Sequence, residues 1–337
     1  MKKSTLVLPV LLSASAFALA GCATSATSST AAGASGELKV VATTTQVADF
    51  TREIAGDAAS VTQLIQPNQS AHSYDPSAAD LAALGSADVL VINGAGLEEW
   101  LDDAISASGF DGVTIDSSTG IELSDDEAGH EHAEGEEHSE DEHAHEEGNP
   151  HIWTDPARAG QMVATIESGL AEADPAAATD FEANATAYEA KLTELDTWIR
   201  DNVDTVPAAS RLLVSNHDAF TYFVDAYGIT YVGSVIPSFD DNAEPSAAEI
   251  DELVAAIKAT GVKAVFSEAS ISPKAADTIA AEAGVTVYSG DEALYGDSLG
   301  PAGSDGATYL ASQIHNATVI LESWGVTPSA VPADLED

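Results

Sequence analysis

The feature that most constrains the fold is a long helical pattern near the middle of the chain. Its large apolar residues recur at steps of seven, four, three and four positions: Phe181, Tyr188, Leu192, Leu195 and Ile199. This spacing places them on one face of a helix, and Pro175 is suited to a helix start. The pattern predicts a helix within 174–203, about 28 residues and roughly 42 Å long at 1.5 Å per residue. A plain core helix is one interpretation, but its place between two α/β halves favours a bridging helix.

Short apolar runs alternate with helical patterns on both sides of this helix. In the first half the predicted strands are 38–43, 61–65, 88–92 and 113–115, and the predicted helices are 46–55, 78–84, 97–107 and 156–170. In the second half the predicted strands are 211–214, 229–232, 262–267 and 285–288, and the predicted helices are 219–227, 245–260, 273–283 and 307–324. This alternation favours parallel strands joined by helical crossovers. We therefore predict an α/β fold of two similar lobes, each a mostly parallel sheet with flanking helices.

The first residues predict an export signal followed by a lipid anchor. A basic start precedes the apolar run 6–20, which is too short to span a bilayer comfortably but suits a signal peptide. The run ends in Leu-Ala-Gly-Cys, which resembles the lipobox of bacterial lipoproteins and implies acylation of Cys22. An ordinary signal peptide with a coincidental Cys is the alternative. The predicted location is the outer face of the bacterial cytoplasmic membrane, or the periplasm.

Small residues continue after Cys22, and they predict a flexible tether over 22–36. The predicted organisation is a signal peptide, this tether, an N-terminal lobe, a linking helix and a C-terminal lobe, over 1–21, 22–36, 37–173, 174–206 and 207–337. A single Cys excludes a disulfide framework within the chain.

The charge of the chain excludes some partners. There are 11 Lys and Arg against 56 Asp and Glu, for a formal net charge of -45. A general nucleic-acid binder needs a cationic surface that this chain lacks, and adsorption to anionic lipid headgroups is disfavoured for the same reason. A soluble, salt-adapted surface is the plain explanation for the remaining acidity.

Five of the nine His residues lie in one strongly acidic stretch. We predict a disordered loop over 125–148, because its residues 125–147 contain 12 Asp or Glu and no large apolar side chain. Imidazoles and carboxylates together collect divalent cations weakly, and zinc is favoured over ions that prefer only oxygen. A merely solvated acidic linker is the alternative. The five residues are His130, His132, His138, His143 and His145.

Three other His residues lie at transitions from a strand to a helix. His72 precedes the helix at 78, His151 precedes the helix at 156, and His217 follows the strand that begins at 211. Ligands of α/β sheets gather beyond the carboxyl ends of the strands, so these three side chains can converge on one crevice. His315 lies inside the last helix, where a structural or surface role is the better prediction.

A tetrahedral site needs a fourth donor. Asp297 follows the last predicted strand and lies among Gly residues, which makes it the first candidate. Glu268 ends the strand at 262–267 and is either a rival ligand or a hydrogen-bond partner of one. Both can also be ordinary loop acids in so acidic a chain.

Five motifs carry a resemblance to a known family. In order, they resemble motifs of the zinc- and manganese-binding solute-binding proteins of ABC importers: AHSYDPS, NPHIWTDP, NHDAFTYF, SEASISPK and LYGDSLGPAGSDGATYL. The resemblance covers about 38–324. It implies two α/β lobes joined by one long rigid helix, a metal ion between the lobes, and an ABC permease with its ATPase as partners. It places the four ligand positions on His72, His151, His217 and Asp297.

The choice of metal is between zinc and manganese. Three imidazoles and one carboxylate suit Zn²⁺, whereas Mn²⁺ prefers harder oxygen donors. The stretch around Asp297, however, looks closer to relatives associated with manganese. Zinc is the predicted ion, and manganese is the alternative.

Two functions of other classes compete with transport. A zinc metallohydrolase keeps a water in its fourth position, but no HExxH motif is present. Asp218 is the one tempting general base, and an acid at a helix N-terminus is its plainer role. Some relatives are described as adhesins, and an adhesin role is the second alternative.

We predict a monomeric binding protein that is not an enzyme. Its rigid helix should confine metal release to local movement of the loops that carry the ligands.

Overall fold

The computed structural model describes residues 37–124 and 148–336. The predicted signal peptide, tether and lipid-attachment residue Cys22 lie outside these residues, as do the five loop His residues. None of the helices in the described ranges combines the length and apolar character that a membrane span requires.

The N-terminal part contains a four-stranded parallel sheet in the order β2-β1-β3-β4. Its strands are β1 (Leu38–Ala42), β2 (Ala59–Gln63), β3 (Val89–Ile92) and β4 (Val113–Asp116). Its helices are α1 (Thr45–Ala55), α2 (Ala78–Leu84), α3 (Leu101–Ser108) and α4 (Pro156–Ala173). In register, Val41 of β1 lies between Thr62 and Leu90. The α/β prediction is confirmed.

Apolar residues cover both faces of this sheet. In β1, Val40 and Ala42 belong to the large core cluster, whereas Val41 belongs to a second cluster with Leu84 and Leu101 from α2 and α3. Successive residues of a strand point to opposite faces, so the run of three buried residues fills both layers. The sheet is therefore the middle layer of the N-terminal lobe.

The C-terminal part contains two parallel strand pairs. One is β5 (Leu212–His217) with β6 (Thr230–Ile236), and the other is β7 (Ala264–Phe266) with β8 (Thr286–Tyr288). The helices are α6 (Thr221–Tyr227), α7 (Ala247–Thr260), α8 (Lys274–Ala283) and α9 (Tyr309–Ser323). A separate apolar cluster joins Val214 and Val265 of the strands to Ile257 and Ile279 of the helices.

Helix α5 (Ala178–Val203) connects the two parts. Its predicted face is buried, and it belongs to a core cluster that also contains Phe50 of α1, Phe223 of α6 and Tyr309 of α9. Helix α5 is therefore a core helix as well as a bridging one, so the two interpretations of the sequence do not exclude each other. The lobe boundaries 37–173, 174–206 and 207–337 remain a prediction.

Some predicted element ends are wrong. Helix α5 begins at Ala178, because α4 extends to Ala173 and a turn follows it. Helix α3 begins at Leu101 instead of 97, since residues 94–96 have positive φ and the Glu98 carboxylate accepts hydrogen bonds from the backbone of Asn93 and Gly94. Strand β2 lies two residues before its predicted position. Strand β5 runs through His217, which ends the strand and does not follow it.

Candidate metal centre

Four side chains meet beyond the carboxyl ends of the strands: His72, His151, His217 and Asp297. One donor atom of each lies within 4.8 Å of the other three. His151 Nε2 lies 3.3 Å from His72 Nε2, 3.2 Å from His217 Nε2 and 3.2 Å from Asp297 Oδ1. Asp297 Oδ1 is also 3.2 Å from His217 Nε2, and Asp297 Oδ2 is 3.6 Å from His72 Nε2. The structure thus brings together the four residues that the resemblance implied.

These separations match the spacing of ligands around one small cation. Donors bound to zinc at about 2.0–2.1 Å in tetrahedral geometry lie about 3.3 Å from each other. Five separations between the donor atoms, measured to both oxygens of Asp297, are 3.2 to 3.6 Å. The donor set of three nitrogens and a carboxylate is therefore compact enough to surround one transition-metal ion.

Each of the four donors comes from a different part of the fold. His72 lies between β2 and α2, His151 just before α4, His217 at the end of β5, and Asp297 between β8 and α9. His151, His217 and Asp297 are fully buried, whereas 10% of the His72 side chain is exposed. His72 is therefore the donor nearest to solvent.

Two imidazoles are oriented by acceptors behind them. His151 Nδ1 lies 2.7 Å from Asn149 Oδ1, and His217 Nδ1 lies 2.8 Å from Glu268 Oε1. An acceptor at Nδ1 keeps the proton there and leaves the Nε2 lone pair free to bind a metal. Glu268 thus lies behind His217, in the position of a hydrogen-bond partner and not of a rival ligand.

The Asn149 side chain is itself fixed from the other side. Its Nδ2 donates to the Asp218 carbonyl at 3.1 Å and to Thr221 Oγ1 at 2.9 Å. These bonds turn the amide oxygen towards His151. Asn149 was missed in the sequence, although its place two residues before a candidate His ligand could have identified it.

Burial and charge set the protonation of the site. Burial lowers the pKa of His151 to about 4, so this imidazole is neutral at pH 7. Burial also opposes a charge on His217, but the carboxylates of Asp297 and Glu268 outweigh it and raise the pKa of His217 well above its ordinary value. For Asp297 the attraction of His217 and His151 outweighs burial and lowers the pKa. Burial raises the pKa of Glu268.

Hydrogen bonds from both lobes hold the loop of His72. Ser70 Oγ accepts from the His72 backbone N–H at 3.2 Å and donates to Asp241 Oδ1 at 2.8 Å. Trp100 Nε1 donates to the Ala71 carbonyl at 3.0 Å. Burial, and then the charge of Asp297, raise the pKa of Asp241. These residues were also missed, because their partners are distant in sequence.

Two other candidates have different surroundings. His315 Nε2 lies 3.0 Å from the Ala293 carbonyl, which is a structural contact within the C-terminal part. Asp218 is buried, and its Oδ1 accepts a hydrogen bond from the Tyr231 hydroxyl at 2.7 Å. The prediction of Asp218 as an acid at a helix N-terminus is wrong, since α6 begins three residues later, at Thr221, and its first turn contains no acidic residue.

Comparison with known proteins gives a consistent set of relatives. Residues 40–323 match the family model of ZnuA, which is described as the periplasmic component A of a zinc-uptake complex. The manganese-binding lipoprotein MntA of Halalkalibacterium halodurans is 32% identical over 289 residues, covering 83% of this chain and 86% of that protein. The zinc-binding protein AdcA of Streptococcus pyogenes is 34% identical over 262 residues, covering 75% of this chain and 50% of that protein. The periplasmic zinc-binding protein TroA of Treponema pallidum superposes with a TM-score of 0.74 at 27% identity, covering 86% of this chain and 99% of that one.

Proposed function

Because this chain belongs to the family of zinc-uptake complex component A, we propose that it captures a divalent transition-metal ion outside the cell and delivers it to an ABC permease. The observation that carries the proposal is the convergence of His72, His151, His217 and Asp297 on one buried point. In this function the metal ion is the cargo, and the four side chains are its ligands.

Zinc is the ion that we propose. The three nitrogens and one carboxylate form a donor set that suits zinc, and five separations between the donor atoms are close to those of a tetrahedral site. AdcA of Streptococcus pyogenes and TroA of Treponema pallidum are both described as zinc-binding. Manganese is the second candidate, because the MntA relative that matches 83% of this chain is described as manganese-binding.

The charge of the site supports a divalent ion. When all three imidazoles are neutral and both carboxylates are ionised, Asp297 and Glu268 carry two negative charges between them, and both lie buried. A divalent cation balances these charges, whereas a buried charge without a partner costs several kcal/mol. Glu268 therefore contributes to ion binding through charge and through its hydrogen bond to His217.

We propose that the protein does not catalyse a reaction. Four protein donors fill a tetrahedral zinc ion, whereas a catalytic zinc keeps one position for water. Asp218, the candidate base, is hydrogen-bonded to Tyr231. Binding and release of the ion are then the whole chemical task.

The proposed setting is the outer surface of the membrane. Two MntA relatives are described as lipoproteins, which supports acylation of Cys22 as the anchor. The proposed partners are the permease and ATPase of an ABC importer, and the protein acts as a monomer. The five loop His residues would raise the local supply of cations, so deletion of 125–147 should leave the affinity of the main site largely unchanged.

Metal content and competition test the proposal. Native-purified protein is analysed for its elements, and calorimetric competition between Zn²⁺ and Mn²⁺ is measured on the wild type and on His72→Ala and Asp297→Ala. We expect one zinc per chain and a large loss of affinity in both variants. Stoichiometric manganese with negligible zinc affinity would mean that manganese, and not zinc, is the transported ion. Undiminished affinity in both variants would exclude these four residues as the binding site. An adhesin role predicts surface binding that survives His72→Ala.

A further inference from the structure

The backbone on both sides of Asp297 is held by residues that are distant in sequence. The Gly296 carbonyl accepts two hydrogen bonds, from Gln46 Nε2 at 3.0 Å and from Trp153 Nε1 at 3.1 Å. The Leu299 backbone N–H donates to Thr45 Oγ1 at 2.8 Å. Thr45 and Gln46 are the first two residues of α1, and Trp153 lies two residues after His151. The N-terminal part of the chain thus holds a ligand loop of the C-terminal part.

These contacts form one connected arrangement. The Thr45 hydroxyl accepts from Leu299 and donates to Gln46 Oε1 at 2.8 Å. This donation turns the Gln46 amide so that its Nε2 faces the Gly296 carbonyl. Thr45, Gln46 and Trp153 are each 1–2% exposed, so water does not compete for these bonds. We call these three residues the Asp297 clamp.

The carboxylate of Asp297 has no anchor of its own. Within the described ranges, both of its oxygens face imidazole nitrogens and have no other hydrogen-bond partner. Its position is therefore set by the backbone at 296–299, which the clamp holds. Trp153 also lies against His151, with 5.2 Å between the ring centroids, and its carbonyl accepts from the Tyr309 hydroxyl.

We propose that Thr45, Gln46 and Trp153 are positioning residues for Asp297. They fix the carboxylate oxygens relative to the three imidazoles, and in this way they set the affinity of the site and the coordination of its ion. This inference rests on the proposed function, because it takes Asp297 as a ligand. Residues that orient metal ligands change metal affinity by about 10–100-fold when they are removed.

Substitutions that keep the size of a side chain but remove its hydrogen bond distinguish a role in positioning Asp297 from a role in packing. Thr45→Val removes the hydroxyl and keeps the volume, whereas Thr45→Ser keeps the hydroxyl. Gln46→Met and Trp153→Phe remove one donor each to the Gly296 carbonyl. Thr51→Val is the matched control, because it removes another buried hydroxyl of α1 that donates to the Val47 carbonyl and not to the Asp297 loop.

Zinc affinity and the visible absorption spectrum of the cobalt-saturated protein are measured on each variant. The cobalt spectrum reports the number and arrangement of ligands, which a loss of stability alone does not change. We expect Thr45→Val and Gln46→Met to lower zinc affinity about tenfold and to change the cobalt spectrum. Thr45→Ser should keep the zinc affinity and the cobalt spectrum of the wild type, and Thr51→Val should change neither of them.

The outcomes separate this inference from the function on which it rests. If Asp297→Ala abolishes binding while the clamp variants keep wild-type affinity and spectrum, the clamp inference is wrong and the proposed function stands. A loss of affinity with an unchanged cobalt spectrum also overturns the clamp, since it shows only a destabilised fold. If Asp297→Ala itself binds normally, the proposed function fails. Should Gln46→Met not fold, the pair of Thr45 variants decides.

Discussion

The two most buried imidazoles of the centre have different acceptors on their Nδ1 atoms. An amide oxygen faces His151, and a carboxylate faces His217. The amide oxygen accepts a hydrogen bond but carries no negative charge that would stabilise an imidazolium, so burial prevails and His151 is neutral. The carboxylates beside His217 favour the imidazolium instead. The site without its ion therefore holds a proton that the ion must displace.

Zinc binding should release this proton. The pKa of His217 is raised, so the imidazole is charged in the ion-free site at neutral pH and must lose one proton to bind zinc. Below that pKa the logarithm of the affinity should rise by about one for each pH unit, and it should level off above it. Calorimetry in two buffers of different ionisation enthalpy measures the released proton.

Glu268→Gln is the control for the source of the proton. Asp297 and Glu268 both raise the pKa of His217, and Gln removes the charge of Glu268 while it keeps an acceptor for the Nδ1 proton. The pH at which the zinc affinity levels off should therefore be lower in this variant. If the affinity of wild type and variant levels off at the same pH, Glu268 does not set the protonation of His217.

The absence of a side chain at Gly296 leaves room for the Glu268 carboxylate behind His217. A methyl group added at this position would collide with Glu268 Oε2, so Gly296→Ala should push Glu268 away from His217. We expect zinc affinity to fall about tenfold, as for other losses of a ligand's hydrogen-bond partner. A zinc titration measures it, and Gly160→Ala is the control, because a methyl group there meets open space in α4. Equal affinity in the two variants would contradict this role of Gly296.

At the scale of elements, helix α5 combines a connecting position with a buried face. Phe181, Leu195 and Ile199 are fully buried in the cluster that also includes Phe223 and Tyr309 from the C-terminal part. Helical stability in proteins comes mostly from such tertiary packing. The connection between the lobes is therefore part of a shared core.

Shortening a buried side chain of α5 should destabilise both lobes together. Leu195→Ala removes a fully buried side chain and should lower the free energy of unfolding by about 2–5 kcal/mol. Thr193→Ala changes an exposed residue of the same helix and should stay within about 0.5 kcal/mol. Denaturant unfolding without metal measures both. Two separate transitions, with only one of them shifted, would show that the lobes do not share their core.

The sequence predicts elements better than the contacts between them. Helix α2 has the predicted bounds, and its start is set locally by a capping box of Ser77 and Asp80, whereas α3 begins later than predicted because of the turn that Glu98 holds. The four donors follow from strand ends and the family motifs. The clamp does not, because Gln46 and Gly296 are 250 positions apart and no local pattern joins them.

At the scale of the whole molecule, the lobes are connected at more places than α5. Besides the Asp297 clamp, the Asn68 backbone N–H donates to Ser298 Oγ at 2.7 Å, and Ser70 donates to Asp241. Together with the shared core, these contacts oppose a wide hinge. Among the four donors, His72 has the most exposed side chain, so release of the ion on its side requires the least movement of the buried core.

The lobe orientation should therefore change little when the ion leaves. Crystal structures or solution scattering of the metal-free and zinc-bound protein should show nearly the same arrangement of lobes, with differences concentrated in the loop of His72. A large rotation of one lobe against the other would contradict this prediction and would mean that the Gln46–Gly296 contact breaks on release.

The four donors come from separate stretches, and Asp297 lies 225 positions after His72. The binding site therefore does not exist on a growing or threaded polypeptide. A chain exported in the unfolded state would cross the membrane with its donors apart, and it would carry no zinc out of the cytoplasm in this site. It could load only in the compartment where it folds. Timing and place of folding, besides donor chemistry, would then decide which ion the protein first meets.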